Sequence, residues 1–184
     1  MDIIKIAGID YSMTNPSVCV FSGNSFCFES CQFLVITDYK VKGSFSNITF
    51  QTHKDYGLDI QRYENIALPI YDFMDHFEPD YIGLEGYSMG SRGLVFNIGE
   101  NTAILKYQLY KGGYMFNVFP PTTIKKHATG SGRADKKAMV AQFHKDNPSI
   151  NLSQMILGKP DRFDSPVSDI VDSYYIAKYL FDTT

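Results

Sequence analysis

"IIKIAGIDYSMTNPSVCVFSG", residues Ile3 to Gly23, carries the signal that decides the fold. Ile3–Asp10 is a short apolar run ending on an acid, as expected of a central strand. Ser17–Gly23 alternates in character and stops at a turn around Gly23-Asn24. "SFCFESCQFLVIT" (Ser25–Thr37) then returns as a third strand, so the pair predicts a hairpin. A weaker strand signal covers "NITFQTH" (Asn47–His53).

Beyond this point the period changes. Between Leu58 and Phe77 the apolar residues Tyr63, Ile66, Ala67, Ile70, Phe73 and Met74 follow helical spacing, with Pro69 expected to kink or divide the helix. "DYIGLEG" (Asp80–Gly86) is another buried strand that ends on an acid. A helix over 94–111 follows, stopped by Gly112-Gly113. "YMFNVFPP" closes a fifth strand with two prolines, and "TTIKKHATGSGRADKKAMVAQFHK" reads as helix, glycine loop, helix. Ser165 is placed to cap a last helix whose first turn suits Pro166. Antiparallel strands first, then β and α in alternation, predict an α/β fold. Its five-stranded mixed sheet has three antiparallel strands first, then parallel ones, flanked by helices on both faces. With 184 residues and no repeat or clear linker, the chain is expected to be a single domain over 1–184.

No apolar run is long enough to span a bilayer, and the N-terminus enters a strand directly. Neither signal peptide nor membrane anchor is expected, and the predicted location is the cytoplasm. Cys19, Cys27 and Cys31 are odd in number and lie in β-like segments, which favours reduced thiols over a disulfide framework. The four histidines lack zinc spacing. Net charge is −3, yet its distribution is uneven. Lys106–Lys145 holds eight Lys/Arg and one acid, Asp135, whereas the remainder holds nine Lys/Arg and nineteen acids. That split predicts a basic surface beside an acidic centre, although a charge run on its own is more often a solvated helix face.

"SDIVDSYYIAKYL" (Ser168–Leu180) is a helix oily on nearly every side that nevertheless carries Asp169 and Asp172, three residues apart on one face. Carboxylates are rarely buried without a partner or a cation. Asp10 and Glu85 each end an apolar strand, and neighbouring strand ends form the lip of a crevice in α/β sheets. If the last helix packs across that lip, four carboxylates converge, and hard divalent cations are the natural compensation. All-oxygen ligands favour Mg²⁺ or Mn²⁺. Each acid also has a plainer reading. Asp10 could cap a turn before Ser12, and Asp169 lies where the helix dipole favours an anion. Glu85 is harder to dismiss in so apolar a strand, and Asp172 has no such explanation.

In this order, the residues resemble the RuvC-type Holliday-junction resolvases of the RNase H-like (retroviral-integrase-like) superfamily, particularly the forms found in phages. "GIDYSMTNPSV" is similar to the family's first motif, "IGLEGYS" to its second, and "SDIVDSYYIAKYL" to its D-x-x-D-A-x-x-I-A helix. "IKKHATGSGRADKKAMV" is similar to its basic stretch around a Gly-x-Gly loop. Ser173 stands where the family usually has Ala, and Tyr11-Ser12 where many bacterial members have Pro-Gly. The resemblance runs in order from about residue 3 to 180.

It implies an RNase H-like fold and a crossover junction endodeoxyribonuclease that nicks four-way junctions in pairs by two-metal-ion hydrolysis. Asp10, Glu85, Asp169 and Asp172 would hold two Mg²⁺, with Mn²⁺ able to substitute. Lys125 and Lys136 would contact the scissile phosphate. Lys126, Arg133 and Lys137 would counter repulsion between DNA and the acids, while Gly130 and Gly132 let the backbone approach a phosphate. A homodimer is implied through helix 94–111, whose Leu94, Ile98, Leu105 and Leu109 form either a core-facing stripe or the dimer face. Phe96 and Tyr87 are candidates to stack on an opened base pair. No membrane and no small-molecule cofactor are expected. The alternatives are a related nuclease for flaps, forks or RNA–DNA hybrids, and a non-catalytic DNA-binding scaffold of the same fold.

Overall fold

The computed structural model of the chain describes residues 3–43, 45–87 and 95–184. Among these residues six strands form one sheet: β1 (Ile4–Asp10), β2 (Ser17–Gly23), β3 (Cys31–Ile36), β4 (Ile48–Gln51), β5 (Tyr81–Glu85) and β6 (Phe116–Phe119). Their spatial order is β4-β3-β2-β1-β5-β6. β2 is antiparallel to both β1 and β3, whereas β3–β4, β1–β5 and β5–β6 pair in parallel. Every strand except β2 therefore points the same way, and the C-terminal ends of β1, β3 and β5 share one edge.

Among the described residues, six α-helices cover the sheet. α1 (Asp59–Phe77) and α2 (Val95–Lys111) lie over one face. α3 (Pro121–Thr129), α4 (Lys136–Asp146), α5 (Leu152–Leu157) and α6 (Val167–Thr183) lie over the other. The alternation of strand side chains assigns each residue to a layer. In β1, Ala7 and Ile9 pack towards α1, while Gly8 faces α6. In β5, Ile82 and Leu84 pack towards α1, while Gly83 faces α6. The next residue on the α6 side is Asp10 in β1 and Glu85 in β5, so the period of two aims both acids at the same helix.

Those two glycines are what allow the helix so close. A Cβ on Gly8 would run into the backbone of α6 at the Ala177 nitrogen and the Ser173 carbonyl. A Cβ on Gly83 would sit 3.0 Å from Ile176 Cγ2 and 3.1 Å from the Phe119 ring. "GID" and "GLE" thus combine a small residue, which seats the helix, with an acid at the strand end. A buried hydrogen bond of 2.9 Å between the Ser17 and Ser173 hydroxyls ties α6 to β2 in the row where Ser17 faces Asp10.

Four sequence expectations are corrected. The sheet has six strands, not five, because the weak signal near Ile48 is a real edge strand. It pairs in parallel with β3, after a connection (37–47) that has no helix among its described residues. Pro69 does not divide its helix: α1 is continuous over nineteen residues, held by an apolar face of Tyr63, Ile66, Ile70 and Met74. The third strand begins only at Cys31, since Phe28–Ser30 makes a 3-10 turn that buries Phe28. Ser165 is not the cap: α6 begins after Pro166, with no side-chain cap bond. The short α5 was not anticipated; six residues leave too little room for a helical stripe.

Candidate active site

Asp10 closes β1 and is almost fully buried. Glu85 closes the neighbouring parallel strand β5, one step beyond the Ile9–Leu84 pair. Asp169 lies in the first turn of α6, and Asp172 one turn further on. Seated on Gly8, the helix brings both over the strand ends.

The electrostatics show how close the four come. Burial pushes Asp10 well above the ordinary carboxylate range, and repulsion from Glu85, Asp172 and Asp169 adds to it. Burial likewise raises Glu85 to about 6 and Asp172 to about 7, the latter helped by Glu85 and Asp169. Asp169 is raised by burial, with Ser165 and Lys136 pulling the other way. Two lysines oppose the repulsion: Lys136 lowers Asp10, Asp169 and Asp172, and Lys125 lowers Glu85 and Asp172. Lys136 opens α4, where its ammonium donates to the Ser168 hydroxyl at 3.2 Å. That hydroxyl holds the lysine beside Asp169, and nothing in the sequence motif had pointed to Ser168.

The donor set suits a hard cation. All four groups are carboxylates, and Asp169 Oδ2 is buried with no hydrogen-bond partner among the described residues. An orphaned buried oxygen of this kind is costly unless a donor or cation meets it. Among the described residues, no three His, Cys, Asp or Glu side chains stand close enough together to hold a metal ion as they are placed here. Four like charges near one another have reason to stand apart.

The other predicted DNA contacts separate by position. Gly130 caps α3 in the left-handed region, at φ 80°, and a Cβ on Gly132 would lie 3.0 Å from the Thr122 carbonyl. The turn itself requires both glycines. Lys126 lines a separate cavity with Thr122, His127 and Tyr179, and Lys137 stacks 5.8 Å from the Phe163 ring, in another cavity. The Arg133 backbone N–H donates to the Ser131 hydroxyl within the turn.

On α2 the core-facing reading of the stripe is the one that holds for Leu105 and Leu109. Leu105 and Leu109 are fully buried against α1 and the sheet, so they are core residues and not a dimer face. Leu94 lies outside the described residues. The outward face instead carries Phe96, 84 % exposed, with Ala103, Tyr107 and Tyr110. Tyr87 is half exposed, with Lys106 5.4 Å above its ring.

A mixed sheet with one reversed strand, a helix across the ends of its two central parallel strands and acids on all three pieces define an RNase H-like fold of the RuvC type. In sequence, part of the chain is similar to crossover junction endodeoxyribonuclease RuvC. It is 28% identical over 84 residues to that of Corynebacterium diphtheriae, a match covering 45% of this chain and 52% of the relative. With the RuvC of Corynebacterium glutamicum it shares 29% over 84 residues, covering 45% and 38% respectively. The matched part spans about half the length of these relatives or less. No protein-family model matches the chain.

In fold the likeness is more extensive. The Thermus thermophilus RuvC structure superposes with a TM-score of 0.61 at 18% identity, covering 98% of this chain and 95% of that one. T. thermophilus RuvC in complex with Holliday junction substrate gives 0.63 at 15%, covering 98% and 94%. The yeast mitochondrial Holliday junction resolvase Ydc2 gives 0.57 at 17%, covering 97% and 78%.

Proposed function

We propose that this chain is a divalent-metal-dependent endonuclease that cuts branched DNA, four-way junctions above all. The observation that carries the reading is the meeting of Asp10, Glu85, Asp169 and Asp172 at one sheet edge under two lysines. Similarity to RuvC proteins in sequence and fold supports it.

The four carboxylates would hold two Mg²⁺, with Mn²⁺ as a substitute. Bound there, the ions would supply a polarised water and neutralise charge on the phosphate. The chain's own residues do the rest. Burial keeps the acids in a low-dielectric pocket, where their pull on a cation is strongest. Lys125 and Lys136 approach the acids from α3 and α4 and offer fixed positive charge where a phosphate would gain negative charge. Ser168 holds the Lys136 ammonium in place. Lys126, Arg133 and Lys137, on the same two helices and the turn between them, would add longer-range attraction to DNA.

The same reading has two copies acting together, one on each of two strands, as a two-fold assembly would allow. The exposed aromatic face of α2 offers the surface for it, with Phe96 free to meet either a second copy or an opened base pair. No helix among the described residues is long and apolar enough to cross a membrane.

The test is cleavage, in Mg²⁺, of labelled four-way junction, fork, linear duplex and RNA–DNA hybrid. The junction should be cut fastest, and Asp10→Asn should abolish cutting while leaving junction binding largely intact. Fastest cutting of the hybrid would overturn the junction assignment. Cleavage by Asp10→Asn at the wild-type rate would overturn the site.

A further inference from the structure

One residue breaks the pattern on the inward stripe of α2. Leu105 and Leu109 are fully buried, and Asn101, one turn before Leu105 on the same stripe, is buried just as completely. Among the described residues its side chain accepts one hydrogen bond, from the Tyr11 hydroxyl at 3.3 Å, and Asn101 Nδ2 has no partner. A half-satisfied amide in a core costs stability, and a leucine would continue the stripe without that cost. Cores depart from their own pattern where function requires it, so this amide calls for a role.

The residue it meets points to that role. Tyr11 follows Asp10 directly. Asp10 faces α6, whereas Tyr11 is buried on the opposite side, in the same apolar layer as Ile9, Ile66 and Leu105. The ladder that places β1 stops at this point: pairing with β5 ends at Ile9–Leu84, and pairing with β2 ends at Asp10–Ser17. The other acids are backed by main-chain bonds. After Glu85, the Gly86 N–H donates to the Phe119 carbonyl at 2.8 Å, and Asp169 and Asp172 lie within a helix. After Asp10, side chains reach across to hold the chain. Tyr11 bonds Asn101 on α2, and Arg62 of α1 donates to the Met13 carbonyl at 3.0 Å. Tyr11 is the nearer of the two, its Cα about 3.8 Å from that of Asp10. A tilt at Tyr11 therefore moves the Asp10 carboxylate relative to Glu85 and Asp172, and Mg²⁺ tolerates little error in the placing of its oxygens.

Docking of α2 has other anchors. Leu105 and Leu109 fix its second half. In its first half Asn97 Nδ2 donates to the Tyr63 hydroxyl at 3.1 Å, and that hydroxyl donates to Glu100 Oε2 at 3.2 Å. What Asn101 adds is a hold on the strand end that carries Asp10.

We propose that Tyr11 and Asn101 are positioning residues for the metal site: the pair fixes the end of β1 against α2 and so holds the Asp10 carboxylate where a divalent cation needs it. The proposal rests on the metal site of the reading above, and the test separates it from the nuclease activity. Tyr11→Phe, Asn101→Leu and the double variant are compared with the wild type. Thr102→Val is the control, a buried residue of α2 whose hydroxyl donates to the Ile98 carbonyl. Three quantities are read: Tm in chelator, Mn²⁺ affinity without DNA by paramagnetic resonance, and the Mg²⁺ concentration at half-maximal junction cleavage. The double variant replaces both partners by apolar groups, so it should melt within about 3 °C of the wild type or above it. Its Mn²⁺ affinity should nevertheless fall about tenfold, the low end of what residues that orient metal ligands contribute, and the Mg²⁺ midpoint should rise by a like factor. Thr102→Val, which has no bond to the pair, should stay within about twofold of the wild type. If the double variant binds Mn²⁺ as the wild type does, or if affinity and Tm fall together in all three variants, the pair is structural and the proposal is overturned; junction cleavage by the wild type would leave the nuclease reading intact. If the wild type binds Mn²⁺ and the double variant binds it weakly, yet neither cuts junction, fork, duplex or hybrid, the positioning role stands and the nuclease reading fails. A wild type that binds no Mn²⁺ would sink both.

Discussion

Replacing Asp172 with Asn should make the metal-free protein more stable, although it removes a proposed ligand. Burial, Glu85 and Asp169 lift the Asp172 carboxyl from an ordinary 3.8 to about 7. Between those values the folded chain holds a proton that the unfolded chain has released. Stability therefore falls as pH rises from about 4 to about 7 and stays reduced above that range. For an isolated group the cost reaches ~4 kcal/mol at pH 8 and only ~1.5 kcal/mol at pH 5. Coupling to Glu85 shares part of that cost, so these figures are upper bounds. Asn cannot ionise, so Asp172→Asn escapes the cost at both pH values and gains most at pH 8. The difference between the two gains, about 2–3 kcal/mol, corresponds to roughly 5–10 °C in Tm for a chain of this size. Thermal melts of both proteins in chelator at pH 5 and pH 8 measure it. Added Mg²⁺ at pH 8 should raise the wild-type Tm and narrow the gap. Equal gains at both pH values, or a less stable variant at pH 8, would refute the argument that Asp172 is held under electrostatic strain.

Other outcomes follow from the packing and the charges. Gly8→Ala should cost about 1–3 kcal/mol or more by overpacking α6 and should lower Tm and cleavage together. Gly99→Ala, in open space on α2, should instead be neutral or stabilise by up to about 1 kcal/mol in the same melts. Ser17→Ala and Ser173→Ala should each cost about 1 kcal/mol, and the double variant less than their sum, as a denaturation cycle would show. Lys125→Ala and Lys136→Ala should each slow cleavage and reduce the slope of log K against log salt for junction binding by about 1.

The strand-end acids were legible because β-structure has period two and an apolar run that stops at a carboxylate is uncommon. Asp172 was legible because an acid in so oily a helix needs a reason. Ser168 and Ser17 were not, since a small hydroxyl on a buried face gives no pattern; their roles depend on Lys136 and Ser173, distant in the chain. β4 was barely visible because four residues pairing in parallel with β3 depend on where the preceding loop lands. The stripe on α2 was visible, but its partner was not. Periodicity identifies an apolar face without saying whether a core or a second copy covers it, and here α1 buries Leu105 and Leu109.

By itself, the sequence determined most of the element order, the two Gly-x-acid strand ends and the Asp169–Asp172 spacing, because these are local patterns of period and charge. Only the tertiary structure decided that α6 rests on Gly8 and Gly83, that Lys136 reaches Ser168, and that Tyr11 meets Asn101. Those contacts join residues far apart in the chain, and no local pattern specifies which distant neighbour a side chain will meet.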